Sequence, residues 1–164
     1  PVSGTTISGA ICGVIAIPIG SPSIAVITSN GNLYQGDNGG FVPVGRFSSG
    51  FTGAIAIYTD GTNSLLLLGS AGGGSYYTYG YREVVIDSTG NLSGSFSEPG
   101  GDNSSISNTP RYRSSLGRRV VRSMFQAPVG IDPSQPLFAS TQSQGLWRYY
   151  RSKGEWNADD NSGG

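Results

Sequence analysis

The sequence predicts an all-β fold made of blade-like antiparallel meanders, and three observations carry that prediction. Glycine accounts for 27 of 164 residues and charged residues for 12%, about half the usual charged share, a balance that suits loop-rich β proteins better than helical ones. The apolar runs are short, rich in Ile and Val, and alternate with small residues, the period-two signature of strands. Between them stand Asn-Gly, Asp-Gly and Ser-x-Gly turn signals. High glycine can also mark disorder, but regular β-branched runs argue against it here. The length fits one domain, 1–157, with a real core, followed by a fraying tail, 158–164.

Residues 7–19 alternate apolar and small residues, which reads as a central strand packed closely by a neighbour and ended by Pro18. Ser23 to Thr28 is a second strand. The turn Ser29-Asn30-Gly31-Asn32 leads into Leu33-Tyr34-Gln35, and Phe41 to Val44 follows as an edge strand marked by Pro43. Phe51 to Thr59 begins another set and turns at Asp60-Gly61 into Ser64 to Gly69. The four leucines there are too short a run for a helix and read as a buried strand. Tyr76 to Asp87 reads as a long strand closed by the hairpin turn Ser88-Thr89-Gly90-Asn91. Residues 93–110 have the composition of a loop, dominated by Ser, Gly, Pro and Asn. Val120 to Gln126 is a strand, Pro128 to Pro136 a rigid connection, and 136–157 a strand-turn-strand meander that holds both tryptophans.

The turn sequence recurs. Ile27 to Leu33 and Ile86 to Leu92 agree at five of seven positions, fifty-nine residues apart, and Ser143-Gln144-Gly145-Leu146 is a looser third copy. A period near fifty with about four short strands is the spacing of a propeller blade, giving three repeats at about 7–45, 51–98 and 111–157. Gly31-Asn32-Leu33-Tyr34 and Gly145-Leu146-Trp147-Arg148-Tyr149-Tyr150, followed by Trp156, resemble the repeats of β-propeller proteins, in particular propeller-type lectins. The middle copy departs from that pattern, because Leu92 is followed by serine and glycine and not by an aromatic. The resemblance implies about three blades. Closed propellers have at least about four, so a ring needs a second copy, making a dimer-completed propeller, or more chain. Otherwise the chain is a partial propeller. The alternative is a β-sandwich of jelly-roll type, with capsid or fibre-type assembly as its setting.

The residues give little support to catalysis. No histidine is present, which removes the usual general base and the commonest zinc ligand. One cysteine, Cys12, lies in an apolar run and reads as a small core residue, so neither a disulfide nor a thiolate metal site forms within one chain. Asp37, Asp60 and Asp87 stand at turns, and a carboxylate pair such as Glu83 and Asp87 is what a glycosidase would need brought face to face. Gly72-Gly73-Gly74 lacks the following lysine of a phosphate loop. The reading is of a protein that is not an enzyme and uses no cofactor and no metal. Ile11 to Ile27 is apolar, but Pro18 and Pro22 interrupt it, so it is not a membrane span. Two Asn-x-Ser sequons, at Asn91 and Asn103, permit a secreted setting.

Arg111, Arg113, Arg118, Arg119 and Arg122 put half of the ten basic residues into twelve acid-free positions. Zero net charge and no RNA-binding signature argue against nucleic acid. Leu116, Val120 and Val121 lie among the arginines and lysine is absent from the segment, the composition of a protein-interface centre. The segment therefore reads as the contact with a protein partner or a second copy of the chain. Carbohydrate is the alternative ligand, with Tyr34, Trp147, Tyr149, Tyr150 and Trp156 as stacking platforms. The leading expectation is a structural or scaffolding protein that self-associates.

Overall fold

A computed structural model describes residues 5–46, 51–59, 64–70, 81–93, 120–142, 145–150 and 155–158. The protein is all-β, with three four-stranded antiparallel sheets, each made of strands consecutive in the chain. The first contains β1 (Ile11–Ile17), β2 (Ser23–Thr28), β3 (Asn32–Asp37) and β4 (Gly40–Arg46). The second contains β5 (Phe51–Thr59), β6 (Ser64–Ser70), β7 (Tyr81–Ile86) and β8 (Leu92–Ser93). The third contains β9 (Val121–Gln126), β10 (Leu137–Thr141), β11 (Leu146–Tyr150) and β12 (Glu155–Ala158). Within each sheet the strands lie in chain order. A jelly roll needs strands that cross between two sheets, and the described strands make no such crossing.

The leucine run in β6 explains how the sheets stack. Leu65 and Leu67 join a core with Val121, Met124, Leu137, Ala139, Trp147 and Tyr149 of the third sheet. Leu66 and Leu68 join a second core with Ile17, Ala25, Ile27 and Leu33 of the first sheet. Successive side chains of a strand point to opposite faces, so four apolar residues in a row mean that both faces are covered. The second sheet is therefore the middle layer. Each fully buried leucine contributes about 1.5–3 kcal/mol from apolar burial.

β5 lies against β1 and also against β9. Glycine permits the first approach: Gly53 has φ +96°, and a Cβ there would lie 2.6 Å from the Cys12 carbonyl oxygen. A Cβ on Gly13 would be 3.0 Å from the Gly53 carbonyl oxygen. The second approach is held by polar groups, with the Thr52 hydroxyl donating to the Val121 carbonyl at 2.6 Å. The Gln126 amide accepts from Thr59 N–H and donates to the Thr59 carbonyl, both at 3.0 Å. Gln35 does similar work between the first two sheets. It donates to the Gly90 carbonyl at 2.7 Å and accepts from Leu92 N–H at 2.9 Å.

The expected central strand over 7–19 is thus corrected. It begins at Ile11 and is an edge strand in its hydrogen bonding. Its small residues serve the packing of one sheet on another. Pro43 does lie on an edge strand, β4.

The recurrent turns close different hairpins. Thr28–Asn32 joins β2 to β3 and Asp87–Asn91 joins β7 to β8, yet both bond alike: Gly31 N–H to the Thr28 carbonyl and Gly90 N–H to the Asp87 carbonyl, each at 3.0 Å. The third turn joins β10 to β11, the same place in its sheet as the first. Thr141 Oγ1 donates to the Gly145 carbonyl at 3.3 Å there, as Thr28 Oγ1 does to Asn32. Residues 76–80 of the expected long strand, the triglycine 72–74 and the loop from residue 94 onward lie outside the described residues. Ala158 pairs with Trp147, so the tail expected from 158 has its first residue in β12, and 159–164 lie outside the description.

Candidate functional site

The aromatic residues proposed for sugar stacking divide into two groups. Tyr34 on β3 is 4% exposed and its hydroxyl accepts from Ser8 N–H at 3.0 Å. Trp147 and Tyr149 alternate along β11, so both face the second sheet, and both are buried in the core there. Tyr149 meets Tyr58 edge-on, with centroids 6.1 Å apart. A stacking platform needs an open ring face, and Tyr34, Trp147 and Tyr149 have none. These three are core residues, a correction that the alternation of 147 and 149 could have supplied. Tyr150 lies on β11 and Trp156 on β12, where they pair in backbone register with Glu155 and Tyr149 respectively. Their side chains are outside the description.

Of the arginine segment, only Arg122 falls in the described chain. It is exposed on β9 and donates to the Gln142 side-chain oxygen at 2.8 Å. Arg111, Arg113, Arg118 and Arg119 lie outside the described residues.

Two apolar surfaces that sequence reasoning did not single out lie on the ends of the stack. On the first sheet, Val14 pairs with Val26 and Val26 with Tyr34, which puts them on the face turned away from the second sheet. Val14 is 56% exposed and Ile24, on the same face, 37%. On the third sheet, Phe125 pairs with Phe138 and Phe138 with Arg148, again facing away from the middle sheet. The two phenyl rings stack at 5.1 Å, and the Arg148 guanidinium stands 5.8 Å from the Phe138 ring centre. Phe125 remains 49% exposed. Arg148 also pairs with Asp132 at 3.3 Å. The Ser134 hydroxyl and N–H hold the Asp132 carboxyl below the usual carboxylate range, with Arg148 adding to the effect. The signal for these faces was apolar residues at both parities of one strand, as at Val14 and Ile15.

Among the described residues, no three His, Cys, Asp or Glu side chains come together as a metal site, and no helix is long and apolar enough to cross a membrane. Cys12 directs its thiol to the Ile27 and Phe51 carbonyls, and burial pushes its pKa up. Asp87 accepts from the Thr89 hydroxyl at 2.6 Å, from Thr89 N–H at 2.8 Å and from Asn91 N–H at 3.0 Å. Those bonds lower its pKa, the Thr89 hydroxyl most, and they commit the carboxylate to its turn. Glu83, its expected companion, is half-buried on β7. The Asn91 amide donates to Thr89 Oγ1 at 2.9 Å on the exposed side of the same turn, while Asn103 is outside the description. No family model, curated protein or solved structure matches the chain.

Proposed function

We propose that this is a non-catalytic structural or scaffolding protein, built of consecutive propeller-type blades and acting through protein contacts and self-association. The blade reading is supported by β1, β5 and β9, each the first strand of its sheet, which pack side by side while the later strands follow in order. A propeller places the first strand of every blade innermost in this way. One observation carries the functional reading: apolar side chains on both end faces of the stack, Val14 and Ile24 at one end and Phe125 at the other, stay exposed. Soluble proteins keep large apolar patches mainly where something docks. Arg122 is exposed on β9 of the third sheet, and the arginine segment is proposed as part of the protein contact.

The lectin reading has less support, because three of its five aromatic residues have their rings in the core. Fibre or capsid-type assembly is a variant of the self-association reading, since head-to-tail contacts that do not close generate filaments. Sedimentation velocity across a concentration series tests the proposal. Species heavier than the 17.0 kDa chain are expected, and a single 17.0 kDa species at every concentration overturns self-association.

A further inference from the structure

We infer that the outward face of the first sheet docks on the outward face of the third sheet of a second copy of this chain, head to tail. This rests on the self-association reading above and names the surfaces that perform it. The chain already contains two face-to-face contacts between consecutive sheets. The first sheet offers one face, through Ala25, Ile27 and Leu33, to the second sheet's Leu66, Leu68 and Val84. The second sheet offers its opposite face, through Leu65, Leu67 and Tyr58, to the third sheet's Leu137, Ala139 and Trp147. Each sheet therefore has a leading face, which meets the next sheet, and a trailing face, which meets the one before. The face left over on the third sheet, with Phe125, Phe138 and Leu146, is a leading face. The first sheet's outward face is a trailing face: Val14, Ala16 and Ile24 on it are exposed, while Val26 and Tyr34 beside them are buried.

A leading face and a trailing face are the two partners of both contacts inside the chain, so the free ends are complementary by the same relation. Two leading faces, or two trailing faces, have no counterpart in the fold. A second copy satisfies both ends at once, since its own leading face reaches the first copy's trailing face around a two-fold axis. The result is a ring of six sheets, within the range of about four to eight blades known for closed propellers. A contact between unlike faces that closes with two copies is a heterologous interface made twice.

The test uses Val14→Glu and Phe125→Glu, made singly in the full chain. Both positions are solvent-exposed in the single chain, so the circular dichroism spectrum should match the parent's; Ile24→Glu and Leu146→Glu repeat the test on each face should either variant fail to fold. By sedimentation equilibrium the parent is expected at about twice 17.0 kDa, with each variant shifted toward 17.0 kDa. Mixing the two variants should bring back two-copy species, because one pair of faces in the mixed dimer is intact. Loss of assembly in only one variant, or no recovery on mixing, overturns the head-to-tail contact. A parent that assembles while both variants assemble equally well also overturns it, yet leaves self-association standing through another surface. A parent that stays at 17.0 kDa overturns both.

Discussion

The first and second sheets share a topology, four antiparallel strands in chain order, and differ in what surrounds them. β6 of the second sheet has Leu65 to Leu68 all buried, because a sheet lies on each side of it. β1 of the first sheet buries Ile17 against the second sheet and leaves Ile11 and Val14 largely exposed, although Val26 and Tyr34 on Val14's face are buried. Local pattern makes both of them strands. What separates them is the number of neighbouring sheets, a property of the stack, and the middle layer should carry far more of the stability per residue. The two seams differ as well: the seam between the first and second sheets is mainly aliphatic, while the one between the second and third adds Tyr58, Tyr81, Trp147 and Tyr149.

The largest effect should come from that aromatic seam. Trp147→Ala removes an indole packed between two sheets and is expected to cost about 3–5 kcal/mol in chemical denaturation. A loss below about 0.5 kcal/mol, the usual range for surface substitutions, would show the side chain to be peripheral. The next test separates the sheets directly. Leu66→Ala and Leu67→Ala, which empty opposite faces of the middle sheet, should each cost about 2–5 kcal/mol. Val14→Ala, measured in the monomeric state, should stay within about 0.5 kcal/mol, as exposed positions do. Similar costs at Leu66 and Val14 would break the distinction between middle and end layers.

The smallest effect concerns pH. The folded-state pKa of Asp87 is depressed, chiefly by the Thr89 hydroxyl. Its contribution is therefore fully present above the unfolded carboxylate value of about 3.9 and is lost as pH falls through the lower folded value. Asp87→Asn should lower stability slightly near neutrality and flatten its decline below about pH 4. An unchanged acid limb in the variant would show that other carboxylates set it.

Much of this fold was legible in the residues, and particular elements show why. Asn30-Gly31 and Thr89-Gly90 announce their hairpins because positive φ at glycine, 90° and 89° here, is a local demand. Pro43 announces an edge because it has no N–H to give. Leu65 to Leu68 read as buried because nothing but a covered strand tolerates them. The match between 27–33 and 86–92 was less informative, since the two turns close different strand pairs and share chemistry rather than position. The roles of Tyr34, Trp147 and Tyr149 were harder still: an aromatic ring suits a core and a sugar equally well until its neighbours are known. Exposure of Val14 and Phe125 depends on which sheet is absent from one side, and no local pattern carries that.

The glutamine side chains that bridge the sheets add something the apolar cores cannot. Oily surfaces attract without preferring one alignment, so two sheets held by leucines alone could slide along each other at small cost. Gln35 and Gln126 each use a primary amide as a stand-in for a peptide group, giving and accepting on backbone atoms of the sheet opposite. They act as index pins, one in each seam, that opposes shear and sets the offset of each layer against the next. Glutamate is nearly the same shape but has no N–H to give when ionised. A glutamate at either position would therefore lose the bond given to the carbonyl opposite and hold that seam less firmly in place.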